Sequence, residues 1–147
     1  SRLNADGTLN SWTSAGYMTG PRYGHQMFAA KGRLYVLGGF NAGSAQTAVW
    51  SAAVSSSGAL GAWTAETSLP VKLYFHAAVY YDGYVYVSGG YSTSVVGTVY
   101  SAPLGDDGVL GGWTASASML LSARYITRPS KRKQLAVLSW TASFATR

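Results

Sequence analysis

An eight-residue phrase written three times is the strongest constraint on what this chain can become. DGTLNSWT occupies residues 6–13, SGALGAWT residues 57–64 and DGVLGGWT residues 107–114, so the copies stand 51 and 50 residues apart. A period of that length belongs to chains that stack one supersecondary unit after another, each unit covering the face its neighbour leaves open. The register extends well beyond the phrase. A shift of 51 lays HQMFAAKGRLYVLGGF (residues 25–40) over HAAVYYDGYVYVSGGY (residues 76–91), matching the histidine, a hairpin glycine, a Tyr-Val pair and a double glycine. A shift of 50 then lays AVWSAAV (48–54) over TVYSAPL (98–104). One residue has been lost from the intervening loop, where deletions cost least.

Each unit parses into four short antiparallel strands. In the first unit these cover residues 24–30, 33–38, 48–54 and about 60–67, with a tight hairpin at Lys31 and Gly32. Asp82 and Gly83 supply the same hairpin in the second unit with a stronger turn signal. FNAGSAQT (40–47) reads as a loop into the third strand, and SSSGAL (55–60) as a turn into the fourth. Helical periodicity is absent from this body. With 48% hydrophobic and 11% charged residues, and 18 glycines and 11 tyrosines, the composition excludes a disordered chain or a charged coiled coil. No apolar run approaches the ~20 residues of a membrane helix, and the first residues lack the basic-then-apolar layout of a signal peptide.

A double glycine closing the second strand (Gly38 and Gly39, Gly89 and Gly90), Trp50 or Tyr100 in the third, and Trp12, Trp63 and Trp113 in the fourth resemble the kelch repeat. The resemblance covers residues 18–119 as two full units. It implies an all-β chain of four-stranded antiparallel propeller blades, with the first strand innermost and the fourth outermost, in rings of roughly six or seven blades. Residues 1–17 would then be the outermost strand of a split blade, 18–68 and 69–118 two kelch-like blades, and 119–147 an atypical or degraded partial blade with a basic tail. About three blades cannot close a ring, and an open arc exposes sheet faces and strand edges. The expected remedy is a homodimer in which one chain's N-terminal strand completes the blade begun by the other's tail, closing a six-bladed ring with two-fold symmetry by strand exchange. Two other accounts of the chain are a fragment of a longer protein and a frameshifted ending. Read one base out of step, residues 125–130 can encode HHAAV or YHAAV, close to FHAAV at 75–79.

The net charge of +6 belongs to the tail. Residues 1–119 carry five basic and five acidic side chains, and the excess is Arg124, Arg128, Lys131, Arg132, Lys133 and Arg147. That cluster, with Trp140 and Phe144, could hold nucleic acid by charge and stacking. No recognised nucleic-acid motif accompanies it, and a solvated charge run is the simpler reading.

Chemistry-bearing residues are scarce. The absence of cysteine excludes disulfides, thiolate metal sites and a cysteine nucleophile, along with the tyrosine–cysteine crosslink of the copper oxidases built on kelch propellers. His25 and His76 are repeat-equivalent, which marks them as strand histidines hydrogen-bonded between blades rather than metal ligands or bases. Turns consume Asp6, Asp82 and Asp107, leaving Glu66 and Asp106, too few for a paired-carboxylate site. Neither a G-x-S-x-G elbow nor a phosphate loop is present. No catalytic residue, metal or cofactor is therefore expected.

The resemblance places loop residues together at one face around the channel: Arg22, Tyr23, Phe40, Asn41, Lys72, Tyr74 and Tyr91. Those residue types suit a protein or carbohydrate ligand. The expected function is a non-enzymatic binding or scaffold module. The alternative is a fragment of a sugar-active propeller enzyme whose catalytic residues lie in further blades. A surface of Ser, Thr, Gly, Ala and Tyr points to an extracellular or cell-surface setting for the parent protein.

Overall fold

Among the described residues of the computed structural model, 4–12 and 14–118, every regular element is a strand. β1 (Gln26–Ala30), β2 (Arg33–Leu37), β5 (Val49–Ala53) and β6 (Thr64–Ala65) form one antiparallel sheet in the order β1-β2-β5-β6. β7 (Ala77–Tyr81), β8 (Tyr84–Ser88), β9 (Thr98–Pro103) and β10 (Thr114–Ser118) form a second, in the order β7-β8-β9-β10. A two-stranded ribbon of β3 (Phe40–Asn41) and β4 (Ser44–Ala45) projects between β2 and β5. The chain is thus all-β and antiparallel. Its expectations for residues 119–147, the partial blade and the basic nucleic-acid tail, lie outside the described residues.

Local chemistry accounts for these elements. β1 and β7 alternate half-buried and exposed residues, the period of a strand with one covered face. Their hairpins turn on Lys31 and Gly32 (φ 49° and 68°) and on Asp82 and Gly83 (φ 46° and 79°), a pair of left-handed residues whose twist matches that of the flanking strands. The second glycine of each pair is demanded by a close approach. A Cβ on Gly39 would fall 2.9 Å from the His25 Cβ, and one on Gly90 2.8 Å from the His76 Cβ.

Two strand expectations change. Residues 40–47, read as a loop, instead make the β3–β4 ribbon. Ala42 and Gly43 (φ 47° and 80°) turn it, and the Gln46 amide pins it by donating to the Ser44 carbonyl (3.0 Å) and hydroxyl (2.9 Å). The fourth strand of the first sheet, expected over 60–67, contracts to Thr64–Ala65. In the second sheet β10 runs on to Ser118 through a bulge between Ala115 and Ala117 that sets Ser116 out of register. Glu66 stands at the equivalent place, and its carboxylate accepts hydrogen bonds from the Ser51 hydroxyl (2.5 Å) and the Leu110 amide (3.1 Å).

The turn of the repeated phrase is built three times alike. Gly7, Gly58 and Gly108 donate to the carbonyls of Asn4 (3.0 Å), Ser55 (2.9 Å) and Gly105 (3.0 Å). The amides of Asn4, Ser55 and Gly105 in turn reach Thr8 (2.8 Å), Ala59 (2.9 Å) and Val109 (3.0 Å). In the N-terminal copy, among the described residues, the turn leads only to a single bridge residue, Leu9.

The two sheets pack face to face. Tyr35, Leu37 and Val49 from the first meet Val85, Val87 and Ala102 from the second, with Leu104 and Leu110, all at most 4% exposed. Burying each such aliphatic side chain contributes about 1.5–3 kcal/mol. Polar stitches hold the stack in register. The Tyr35 hydroxyl donates to the Gly108 carbonyl (2.7 Å), the Thr67 hydroxyl to the Leu110 carbonyl (2.7 Å) and the Trp113 indole to the Thr67 carbonyl (3.1 Å). At the other side of the first sheet the Trp63 indole donates to the Tyr17 carbonyl (3.0 Å), the same contact one repeat earlier.

Candidate functional site

The residues flanking the double glycines gather at the seam between the two repeats. Tyr23 and Phe40 exchange backbone hydrogen bonds (3.1 and 2.8 Å), and their repeat partners Tyr74 and Tyr91 do the same (3.1 and 2.9 Å). The Phe75 amide then donates to the Gly24 carbonyl (2.6 Å), drawing the second pair against the first. Five rings result in one connected patch. Tyr23 lies 5.2 Å from Phe40 and 6.0 Å from Phe75, and Tyr74 lies 5.1 Å from Phe40, 4.9 Å from Phe75 and 5.7 Å from Tyr91. Tilted and edge-on pairs at such separations each add about 0.5–1.5 kcal/mol beyond area burial.

Phe75 is the irregular member. Its φ of 55° lies in the left-handed region, where its repeat partner is Gly24 (φ 63°). A bulky residue held there stores strain of about 1–3 kcal/mol. Its amide bond to Gly24 and the ring contacts to Tyr23 and Tyr74 help to hold it.

Beside the patch opens a shallow cleft of about 390 Å³ lined by Pro21, Arg22, Tyr23, Phe40, Asn41, Ala42 and Gly43. Arg22 forms one wall. It donates to the Gly38 carbonyl (3.2 Å) and the Thr19 carbonyl (3.1 Å), while its Nε is buried without a hydrogen-bond partner among the described residues. Burial pushes its guanidinium down from the ordinary value. Tyr23 presents the most open ring, 55% exposed.

His25 and His76 stand beneath, each directly before the first strand of its sheet. The expected hydrogen bonds between blades are missing at three of the four ring nitrogens among the described residues. His76 is 2% exposed, and neither of its ring nitrogens has a hydrogen-bond partner among the described residues; the same holds for Nδ1 of His25. Burial, and then the neighbouring charge of His25, push His76 down to about 4, so it is neutral at ordinary pH. Among the described residues no three of His, Cys, Asp and Glu lie close enough to hold a metal ion.

Of the residues singled out from the sequence, Arg22, Tyr23, Phe40 and Asn41 meet in the cleft, and Tyr74 and Tyr91 join through ring contacts. Lys72 is exposed and lines neither the cleft nor the ring patch. Phe75 was not among them. Its signal was available, since the shift of 51 sets it against Gly24 at a position where the backbone turns left-handed.

No protein-family model matches this chain, and neither does any curated protein.

Proposed function

We propose that the chain is part of a kelch-like β-propeller and works as a non-enzymatic binding module whose recognition face is the aromatic cleft around Tyr23. The observation that carries this reading is the convergence of five rings from two successive repeats beside Arg22 and Asn41. Two sheets of equal strand order, one per repeat, stacked with β1 against β7, support their being successive blades. In the same reading two chains of about three blades each complete one ring.

The cleft is open and mostly apolar, with an amide and a guanidinium at its margin. It suits one sugar ring stacked on Tyr23, or a side chain from a partner protein's loop. Nuclear magnetic resonance titration against a panel of mono- and oligosaccharides and a panel of loop peptides tests it. The expected result is a set of shifts centred on Tyr23, Phe40 and Asn41, abolished by Tyr23→Ala with the sheets intact. Shifts centred elsewhere, or none across both panels, overturn the reading.

A further inference from the structure

We infer that the outer face of the second sheet, β7–β10, receives residues 4–12 of a second copy of this chain. This rests on reading the two sheets as successive blades, and it names the contact by which that array continues. The template lies inside the molecule. The turn and strand start at 105–113 dock on the first sheet through three groups: the Gly108 carbonyl on the Tyr35 hydroxyl, Leu110 in the core, and the Trp113 indole on the Thr67 carbonyl.

Both halves of that contact occur once more in the chain, unmated among the described residues. Residues 4–12 repeat the docking half, with the same pair of turn hydrogen bonds and Gly7 at φ 82° against 78° for Gly108. The repeat sets Leu9 on Leu110 and Trp12 on Trp113. Leu9 is 59% exposed where Leu110 is 2%, and Trp12 is 81% exposed where Trp113 packs against the core. The second sheet repeats the receiving half, with Tyr86 in the place of Tyr35 and Ala117 in the place of Thr67. Val79 and Tyr84 on that face are 55% and 47% exposed.

The halves cannot meet within one chain. The Trp63–Tyr17 hydrogen bond ties the N-terminal segment to the first sheet, one repeat before it, and the first sheet stands between that segment and the second sheet's outer face. Between two copies they meet twice, once in each direction, which gives a closed two-fold dimer. The predicted hydrogen bonds run from the Tyr86 hydroxyl to the partner's Gly7 carbonyl and from the partner's Trp12 indole to the Ala117 carbonyl. Ser116 replaces Glu66, so the carboxylate bond to the docking leucine is not repeated, and the contact between copies is weaker than its internal template.

The chain contains no cysteine, which makes cysteine pairs clean reporters. Lys31 and Asp106 touch across the internal contact at 2.6 Å, and their equivalents in the inferred one are Asp82 and Ala5. Mixing Ala5→Cys with Asp82→Cys chains and adding a short bismaleimide is expected to give a covalent pair. Light scattering over a concentration series is expected to show a species near twice the 15.5 kDa chain mass. Trp12→Ala and Tyr86→Phe are each expected to weaken it by about tenfold, as losing a central interface contact does. A 15.5 kDa monomer at every concentration overturns the inference. So does a dimer that neither crosslinks between these sites nor responds to Trp12→Ala. A single chain carrying Lys31→Cys and Asp106→Cys separates the two readings. If it crosslinks internally while the mixed chains do not, the stacked blades stand and the docking fails; if neither crosslinks, both fail.

Discussion

Tyr35 and Tyr86 hold the same place in two sheets of equal strand order, yet their surroundings differ. Tyr35 is fully buried against the second sheet and ends in a hydrogen bond to Gly108. Tyr86 is half-buried on a face that no further described sheet covers. The same split runs through the strands around them: Leu37 is buried where Ser88 is half-buried, and Phe28 packs on the core where Val79 is exposed. Burial in this molecule is a property of the neighbouring repeat more than of the residue.

Truncating the two tyrosines is the most direct way to break this comparison. Tyr35→Ala is expected to cost about 3–5 kcal/mol, the usual loss for a buried aromatic, read from the urea midpoint. Tyr86→Ala, measured in dilute solution, is expected to cost about 1 kcal/mol or less. Equal losses would mean that the outer face of the second sheet is as covered as the inner face of the first.

The histidines carry the contrast into pH. His76 falls from 6.5 in the unfolded chain to about 4 in the fold, so protons favour the unfolded state between those values. Its contribution is fully present above pH 6.5 and is lost as pH falls towards 4, a decline of about 3 kcal/mol. Denaturation midpoints at intervals from pH 7 to pH 4 check the slope, and His76→Gln is expected to flatten it. Because the His25 charge adds to the depression, His25→Gln is expected to make the decline smaller.

The smallest effect sharpens the comparison at the strand bulge. Glu66→Ala leaves the Leu110 amide without an acceptor at the packed seam and is expected to cost about 1–3 kcal/mol. Ser116→Ala removes only an exposed contact with Ser101 (2.7 Å) and is expected to stay within about 0.5 kcal/mol. Thermal or urea unfolding of the two variants side by side decides it.

Much of this was readable from the sequence, and the exceptions have physical causes. The hairpins at Lys31 and Asp82 and the strands beside them follow from turn glycines and alternating burial, both local signals. The meeting of Tyr23, Phe40, Tyr74 and Tyr91 was expected from the resemblance to a repeat that stacks equivalent residues at one face. Short-range signals could not predict the strand end before Glu66, whose carboxylate answers to an amide 44 residues away. Nor could they show that the ribbon at 40–45 would be held by a glutamine folding back on it. Lys72 was placed by the resemblance, near the entrance of an innermost strand, and it lies exposed outside the cleft.

Every one of the eight longer-ranging strands pairs only within its own repeat. The strand ladder therefore stops at the seam, and side chains together with a few loop backbone hydrogen bonds, such as Phe75 to Gly24 and Gly39 to Leu73, carry cooperativity across it. Such a chain folds as a short one-dimensional array, in which a repeat can form from nearby contacts and its neighbour condenses upon it. The height of the seam's contribution then decides whether the molecule melts once or twice. A cut at Tyr35 or Leu110 would first appear as two separate hydrogen-exchange protection levels, one for each repeat, before either sheet is lost.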